Sequence, residues 1–386
     1  MSCFSKIFEK SKEFISLAES ISPGGVPVGA TGVADSFKAH LIHSLAQYKG
    51  ERALIITPDE ASAIKMSEAL GAVQAGVLYY PAREFTFREV AGISRDFEHI
   101  RLGVLSKMAE GEYTAVVCSA NAACQKTMPP AELKKRTLHI KAGESINVEE
   151  FVSGLVRAGY TRCEQVDGTS QFAVRGGIID VFPPGYNEPV RIELWGDMAD
   201  TISSFDIATQ RRTAKLGGLD IIPASEVLFD SNEKLAKKIN ALAMSLKGKA
   251  IKAREALYDD CEKIENGIVP ACIDKYLPLA YESGGIFDYL GGILFVCESA
   301  KVKEKAKNSE KLMAEQIKWC VEDGTLCKGL DKFTLGFDEL VDAYNSSGAV
   351  YLDSLPRGSF DTPVSHLSSF SVQSFNAWNG TVEQIK

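Results

Sequence analysis

Apolar and polar positions follow two different rhythms along the chain. In the first third, short apolar runs are separated by stretches that place an apolar residue every three or four positions. Val26-Pro27-Val28-Gly29 leads into a glycine turn. From Asp35, the expected N-cap, Phe37, Leu41, Leu45 and Tyr48 recur at the spacing of one helix face. Ala53-Leu54-Ile55-Ile56 reads as a buried strand, stopped by Thr57-Pro58, and a second helix starts at Asp59-Glu60. Gly76 to Tyr80 is the next strand, closed by Pro81. A helix is predicted over 97–109, carrying Ile100, Leu102, Val104 and Leu105, and a further strand over Tyr113 to Cys118. Strands that are apolar throughout and alternate with helices predict a parallel sheet covered on both faces.

Past Cys118 the rhythm changes. A helix with Phe151, Leu155 and Val156 is predicted near 148–158. Three short alternating strands follow, Gln171–Arg175, Ile178–Phe182 and Val190–Trp195, punctuated by Gly176-Gly177, Pro183-Pro184-Gly185 and Gly196-Asp197. Close spacing and alternation predict an antiparallel sheet, hence a small α+β domain inserted into the α/β one. Leu235, Ile239, Leu242 and Leu246 mark a long helical region over 232–265, with Lys247-Gly248-Lys249 as its interruption. Gly292–Cys297 is a strong buried strand, a charged helix runs from Lys301 to about Cys320, and Ala349–Leu352 is a last strand. After Pro356 the chain turns polar, with Ser359, Ser365, Ser368, Ser369, Ser371 and Ser374. This reads as a linker or the start of a following domain. No tandem repeats are visible.

Composition narrows the function classes. The 386 residues carry a formal net charge of −8, with 45% hydrophobic and 24% charged residues. That is ordinary globular composition, and it argues against a globally basic nucleic-acid-binding protein. The nine cysteines include no CxxC pair, and Cys118 and Cys297 sit in apolar runs, so buried reduced thiols are expected. No His/Cys cluster has zinc spacing. His40 and His43, three apart on a helix, read as packing or solvated residues rather than ligands. No metal or cofactor is expected. Met1-Ser2-Cys3-Phe4-Ser5-Lys6 leads into an amphipathic stretch rather than a signal peptide, and no run approaches the ~18 apolar residues of a membrane span. A cytoplasmic location is expected. No Gly-x-Ser-x-Gly elbow is present.

The glycine turn has the layout of a phosphate loop with the wrong residues. If Gly29 is the first glycine of G-x-x-x-x-G-K-[ST], Ala34 stands at the second glycine, Asp35 at the lysine and Ser36 at the hydroxyl. A working loop needs the lysine to neutralise phosphate charge, and a carboxylate there repels it. Gly29, Gly32, Asp35 and Ser36 thus read as a degenerate loop, or as an ordinary strand-to-helix turn. Either predicts no hydrolysis.

The middle of the chain resembles a known family. Gly159-Tyr160-Thr161-Arg162, then Gln171-Phe172-Ala173-Val174-Arg175-Gly176-Gly177-Ile178-Ile179-Asp180-Val181-Phe182-Pro183-Pro184, is similar to the excision-repair protein UvrB and the bacterial transcription-repair coupling factor (Mfd). So are Arg191-Ile192-Glu193-Leu194-Trp195-Gly196-Asp197, Ser204-Phe205-Asp206 with Thr209-Gln210-Arg211, and Ile222-Pro223-Ala224-Ser225-Glu226. The glycine loop, Thr57-Pro58, Tyr80-Pro81-Ala82 and Lys275-Tyr276-Leu277-Pro278-Leu279 extend the match. Two departures favour the N-terminal UvrB-like module of the coupling factor. The phosphate loop is degenerate, and Ala82 to Asp96 is too short for UvrB's DNA-clamping hairpin.

The resemblance implies a degenerate P-loop, helicase-like parallel-sheet domain in two chain segments, 1–120 and 206–355. An adaptor-binding α+β domain lies between them at 121–205, with a linker or a following domain at 356–386. It implies a non-catalytic fragment of a longer protein, whose partner is UvrA and whose RNA polymerase and DNA contacts belong to absent domains. The alternative is a UvrB-type, nucleotide-dependent helicase-like protein with weak nucleotide or DNA binding. Carried over position by position, the UvrA-binding candidates are Arg162, Arg175, Gln171 and Phe172. The repair relative has a further arginine where Ala173 stands. On the residues alone, Arg162 and Arg175 read equally as solvated charges. Alternation puts Gln171, Ala173 and Arg175 on one face, and Phe172 and Val174 on the other, which favours a core role for Phe172. Arg211-Arg212 reads as part of the turn re-entering the first domain.

Overall fold

The computed structural model describes residues 11–88, 94–246, 250–268, 270 and 272–371. Met1 to Lys6 with Cys3, the Lys247-Gly248-Lys249 interruption and Ser374 lie outside the described residues.

The first half of the larger unit runs α1 (Lys12–Ser20), β1 (Val28–Thr31), α2 (Asp35–Lys49), β2 (Arg52–Thr57), α3 (Glu60–Gly71), β3 (Val77–Tyr80), α4 (Asp96–Glu110), β4 (Ala115–Ser119), α5 (Ala120–Cys124) and α6 (Pro130–Arg136). A second group follows: β5 (Leu138–Lys141), α7 (Val148–Arg157), β6 (Thr161–Arg162), β7 (Gln171–Arg175), β8 (Ile178–Val181), β9 (Val190–Trp195), β10 (Met198–Phe205), β11 (Arg212–Leu216) and β12 (Gly218–Ile221). The chain then returns through α8 (Asn232–Ser245), α9 (Ile251–Glu265), α10 (Leu277–Ala280), β13 (Gly292–Cys297), α11 (Ser299–Asp323), α12 (Phe337–Ser347), β14 (Val350–Asp353) and β15 (His366–Ser369).

The larger sheet has seven strands in the order β15-β1-β14-β13-β2-β4-β3, every pair parallel. Its strands lack alternation because both faces are buried. Leu54, Ile56, Val116, Cys118, Leu294 and Val296 face one core, and Ala53, Ile55, Ala115, Val117, Ile293 and Phe295 face the other. The fold is α/β, as the pattern predicts.

The second sheet has six strands, β11-β10-β9-β8-β7-β6, antiparallel except for β6 beside β7. Register explains its two faces. Val174, Ile179, Ile192, Ile202 and Leu216 form one cross-strand row against Phe151 and Leu155 of α7. The next row is Ala173, Asp180, Arg191, Ser203 and Lys215, on the opposite face. β5 and β12 form a separate antiparallel pair.

Three expectations need adjustment. Asp35 is not the N-cap of α2: Ala34 holds that position, and Asp35 turns its carboxylate to Lys38. The six-stranded sheet runs past residue 205 to Leu216, and polar β11 escapes notice because four of its five residues are exposed. The stretch after 355, which reads as a linker, contributes β15 to the larger sheet through pairing with β1. Its order comes from the partner strand, not from its own His-Leu-Ser-Ser sequence.

Candidate functional site

The glycine loop stands at the carboxyl end of β1, where a parallel sheet holds its ligands. Charge fills that place from within. Lys38, 1% exposed on α2, donates through Nζ to Asp35 Oδ1 at 2.6 Å, to Ser354 Oγ at 2.9 Å and to Glu298 at the end of β13. The Ser354 backbone N–H also donates to Glu298 Oε1, at 3.0 Å. The hydrogen bond from Lys38 holds the Asp35 carboxyl below its usual range. Burial pushes Glu298 up, but the bonds from Lys38 and Ser354 outweigh it and hold the group below 4.5. One loop amide is spent as well, since the Val33 N–H donates to the Asp353 carbonyl at 3.1 Å. Ser36 is exposed and Gly29 is buried within β1. The lysine missing from the loop is thus answered by a lysine one helical turn on, neutralised by carboxylates rather than by phosphate.

A second cluster gathers motifs far apart in sequence. Arg101, 0% exposed on α4, donates through Nε to Glu226 Oε1 at 2.6 Å and through Nη1 to the Pro81 carbonyl at 3.0 Å and Gln125 Oε1 at 2.9 Å. Its guanidinium lies 4.3 Å from the centre of the Tyr80 ring. Arg83 makes a two-pronged contact with Asp274, both bonds at 3.0 Å. Glu98 accepts from Ser225 Oγ at 3.0 Å and from the Glu226 N–H at 2.6 Å. Tyr80-Pro81-Ala82, Ala224-Ser225-Glu226 and the segment before Lys275-Tyr276 therefore meet in one buried ionic network. Their role here is to hold elements together.

The partner-binding candidates gather at the β6–β7 edge of the six-stranded sheet. Arg162 is exposed, pairs in register with Phe172, and makes no side-chain hydrogen bond or ion pair with the described residues. Arg175, three residues along β7 and so about 10 Å away, keeps 46% of its side chain exposed. It donates to Asp180 at 2.5 Å. Asp180, 1% exposed, is already held by Arg191 through bonds of 2.7 and 2.9 Å. Arg175 is thus the spare cation of this trio, free to take a second carboxylate without leaving Asp180 unpaired. Gln171 is engaged internally: its Oε1 accepts from the N–H groups of Asp167 at 3.0 Å and Gly168 at 3.2 Å, fixing the loop before β7. Phe172 is 0% exposed in the core against α7 and presents no surface to a partner. Trp195 at the end of β9 is 79% exposed, on the same face as Arg175 by register and alternation. Sequence reasoning missed it, although a tryptophan beside a Gly-Asp turn was the available signal. Arg212 pairs with Glu193 across the sheet.

Among the described residues no cluster of three or more His, Cys, Asp or Glu is placed to hold a metal ion, and no helix is long and apolar enough to cross a membrane.

Residues 138–227, which span the six-stranded sheet, α7 and the β5–β12 pair, match the family model of the UvrB interaction domain. Over 347 residues the chain is 30% identical to the transcription-repair-coupling factor of Bacillus subtilis, covering 86% of this chain and 29% of that protein. This chain is similar to the UvrB-like module of the transcription-repair-coupling factors. The factor of Haemophilus influenzae is 26% identical over 269 residues, covering 69% of this chain and 22% of its own length. That of Myxococcus xanthus is 31% identical over 195 residues, covering 49% and 16%. The chain therefore spans less than a third of the length of these coupling factors. Arg162 and Arg175 both fall inside the stretch matched by the interaction-domain family.

Proposed function

We propose that this chain is a non-catalytic protein-binding module of a transcription-repair-coupling factor, which recruits UvrA to stalled RNA polymerase in nucleotide excision repair. The observation that carries the reading is the match of residues 138–227 to the UvrB interaction domain. Arg162, exposed and unpaired among the described residues, and the half-exposed Arg175 lie on one edge of that sheet. A guanidinium in that setting offers a planar fork to a partner carboxylate. In this reading, contacts to RNA polymerase and DNA, and any ATP-driven translocation, belong to parts of the longer protein. The site at the end of β1 supports the non-catalytic part, because its cation is already neutralised by Asp35 and Glu298.

The test is a binding measurement with UvrA. Arg162→Ala and Arg175→Ala are each expected to weaken binding by about ten-fold, roughly 1.4 kcal/mol, and the double variant by more. Arg175→Ala leaves Asp180 paired to Arg191, so its unfolding midpoint stays at the parent value. Parental affinity in both variants would refute the site. A parent chain that does not bind UvrA would refute the function.

A further inference from the structure

We infer that the remnant phosphate loop is a receptor for the chain's own segment 360–370, a strap that takes the place of the polyphosphate. The two loop glycines are then explained by sterics rather than by phosphate binding. A Cβ on Gly29 would stand 3.0 Å from Leu367 Cδ1 and 3.0 Å from Phe360 Cζ. A Cβ on Gly32 would stand 2.0 Å from the Phe370 carbonyl oxygen, and Gly32 has a φ of +73°, which strains any side-chain-bearing residue. Gly32 therefore touches the strap backbone, and Gly29 its side chains, where a side chain would otherwise stand.

The strap is tied at both ends and in the middle. The Ser365 N–H donates to the Pro27 carbonyl at 2.9 Å, and the Phe370 N–H to the Thr31 carbonyl at 2.8 Å, with β15 paired to β1 between them. The Phe370 ring lies 6.3 Å from Phe37 at the start of α2, and the Phe360 ring stacks at 4.9 Å on Tyr351 of β14. These contacts are apolar and peptide-like. None supplies the positive charge that a polyphosphate requires. Seating the strap covers β1, whose edge would otherwise be open to another strand.

Amide hydrogen exchange on the full chain tests this. Gly32→Ala puts a methyl group into the Phe370 carbonyl. Phe370→Ala removes cover without straining the loop, and so keeps the test valid should Gly32→Ala fold poorly. Each variant is expected to speed exchange at the Ser365 and Phe370 amides by about ten-fold or more, while the β13 and β14 amides keep parental rates. Inorganic pyrophosphate at millimolar concentration is expected to leave exchange over 29–37 unchanged in the parent. The inference is overturned if both variants keep parental rates at Ser365 and Phe370. It is equally overturned if Phe370→Ala speeds the whole larger sheet alike, or if pyrophosphate protects the loop.

Discussion

Lys38 and Arg101 both carry a positive charge into the interior, yet their surroundings differ. Arg101 meets Glu226, whose side chain has no exposed surface. Burial pushes Glu226 up, and Arg101 with Arg83 outweighs it and holds the carboxyl below its usual 4.5. Lys38 meets Asp35, whose side chain is 81% exposed, and Glu298, which is 16% exposed and also bonded by Ser354. Removing Arg101 strands a desolvated carboxylate, whereas removing Lys38 leaves one carboxylate in water and the other with a remaining donor. Arg101→Met is expected to cost about 3–5 kcal/mol of unfolding free energy, and Lys38→Met about 1–2 kcal/mol. Urea unfolding of the two variants checks this, and equal costs would contradict it. Neither role was legible beforehand. The sequence shows that Lys38 lies a helical turn beyond Asp35, but depth inside the protein is set by β13 and β14, some 260 and 316 positions away. Phe172 was legible, because alternation along β7 puts it opposite Arg175 and the core row follows from that parity.

At the scale of elements, the Lys38 cluster joins the first turn of α2 to the ends of β13 and β14, so its titration bears on how three elements meet. Asp35 and Glu298 both have folded-state values below their ordinary ones. A group depressed in this way adds stability that is complete above its unfolded value, and the contribution fades as pH falls through the folded value. The junction is therefore insensitive to pH between about 5 and 9 and weakens below about 4.5, while the raised Lys38 ammonium makes it weaken again only at strongly alkaline pH. Glu298→Gln is expected to lower stability at neutral pH and to flatten the acid limb of a melting-temperature profile relative to the parent. An unchanged acid slope in the variant would show that Glu298 is not the titrating partner. Strands with two buried faces and helices with regular apolar spacing were legible because their own residues determine burial. β11 and β15 were not, since each is a short edge strand with polar residues that acquires its order from one neighbour. The start of α2 was placed to within one residue, and its cap was misread because Asp35 found a stronger partner in Lys38 than in the helix N–H groups.

For the whole molecule, nucleotide competence depends on one edge of the larger sheet, built from four chain segments. Phosphate binding would need free loop amides, an unneutralised cation and open space above Gly32. Val33 gives its amide to Asp353, Lys38 is held by Asp35 and Glu298, and Phe370 stands over Gly32. Only part of the second obstacle was visible in the sequence, as Asp35 at the lysine position. The rest comes from residues near 298, 353 and 370, which the fold alone brings together. Restoring the missing lysine is therefore expected to fail. With Asp35→Lys, Lys38 keeps Glu298, the strap keeps Gly32, and a second cation enters an already occupied corner. Neither the parent nor this variant is expected to release phosphate from Mg-ATP above the protein-free rate. Nor should ATP raise the unfolding free energy, whereas a ligand at ten times its Kd would add about 1.4 kcal/mol. Calorimetric melting with and without ATP measures this directly. A clear ATP-dependent rise in Asp35→Lys would show that one residue, rather than the packed edge, had closed the site. A rise in the parent would mean that the corner is open to nucleotide as it stands.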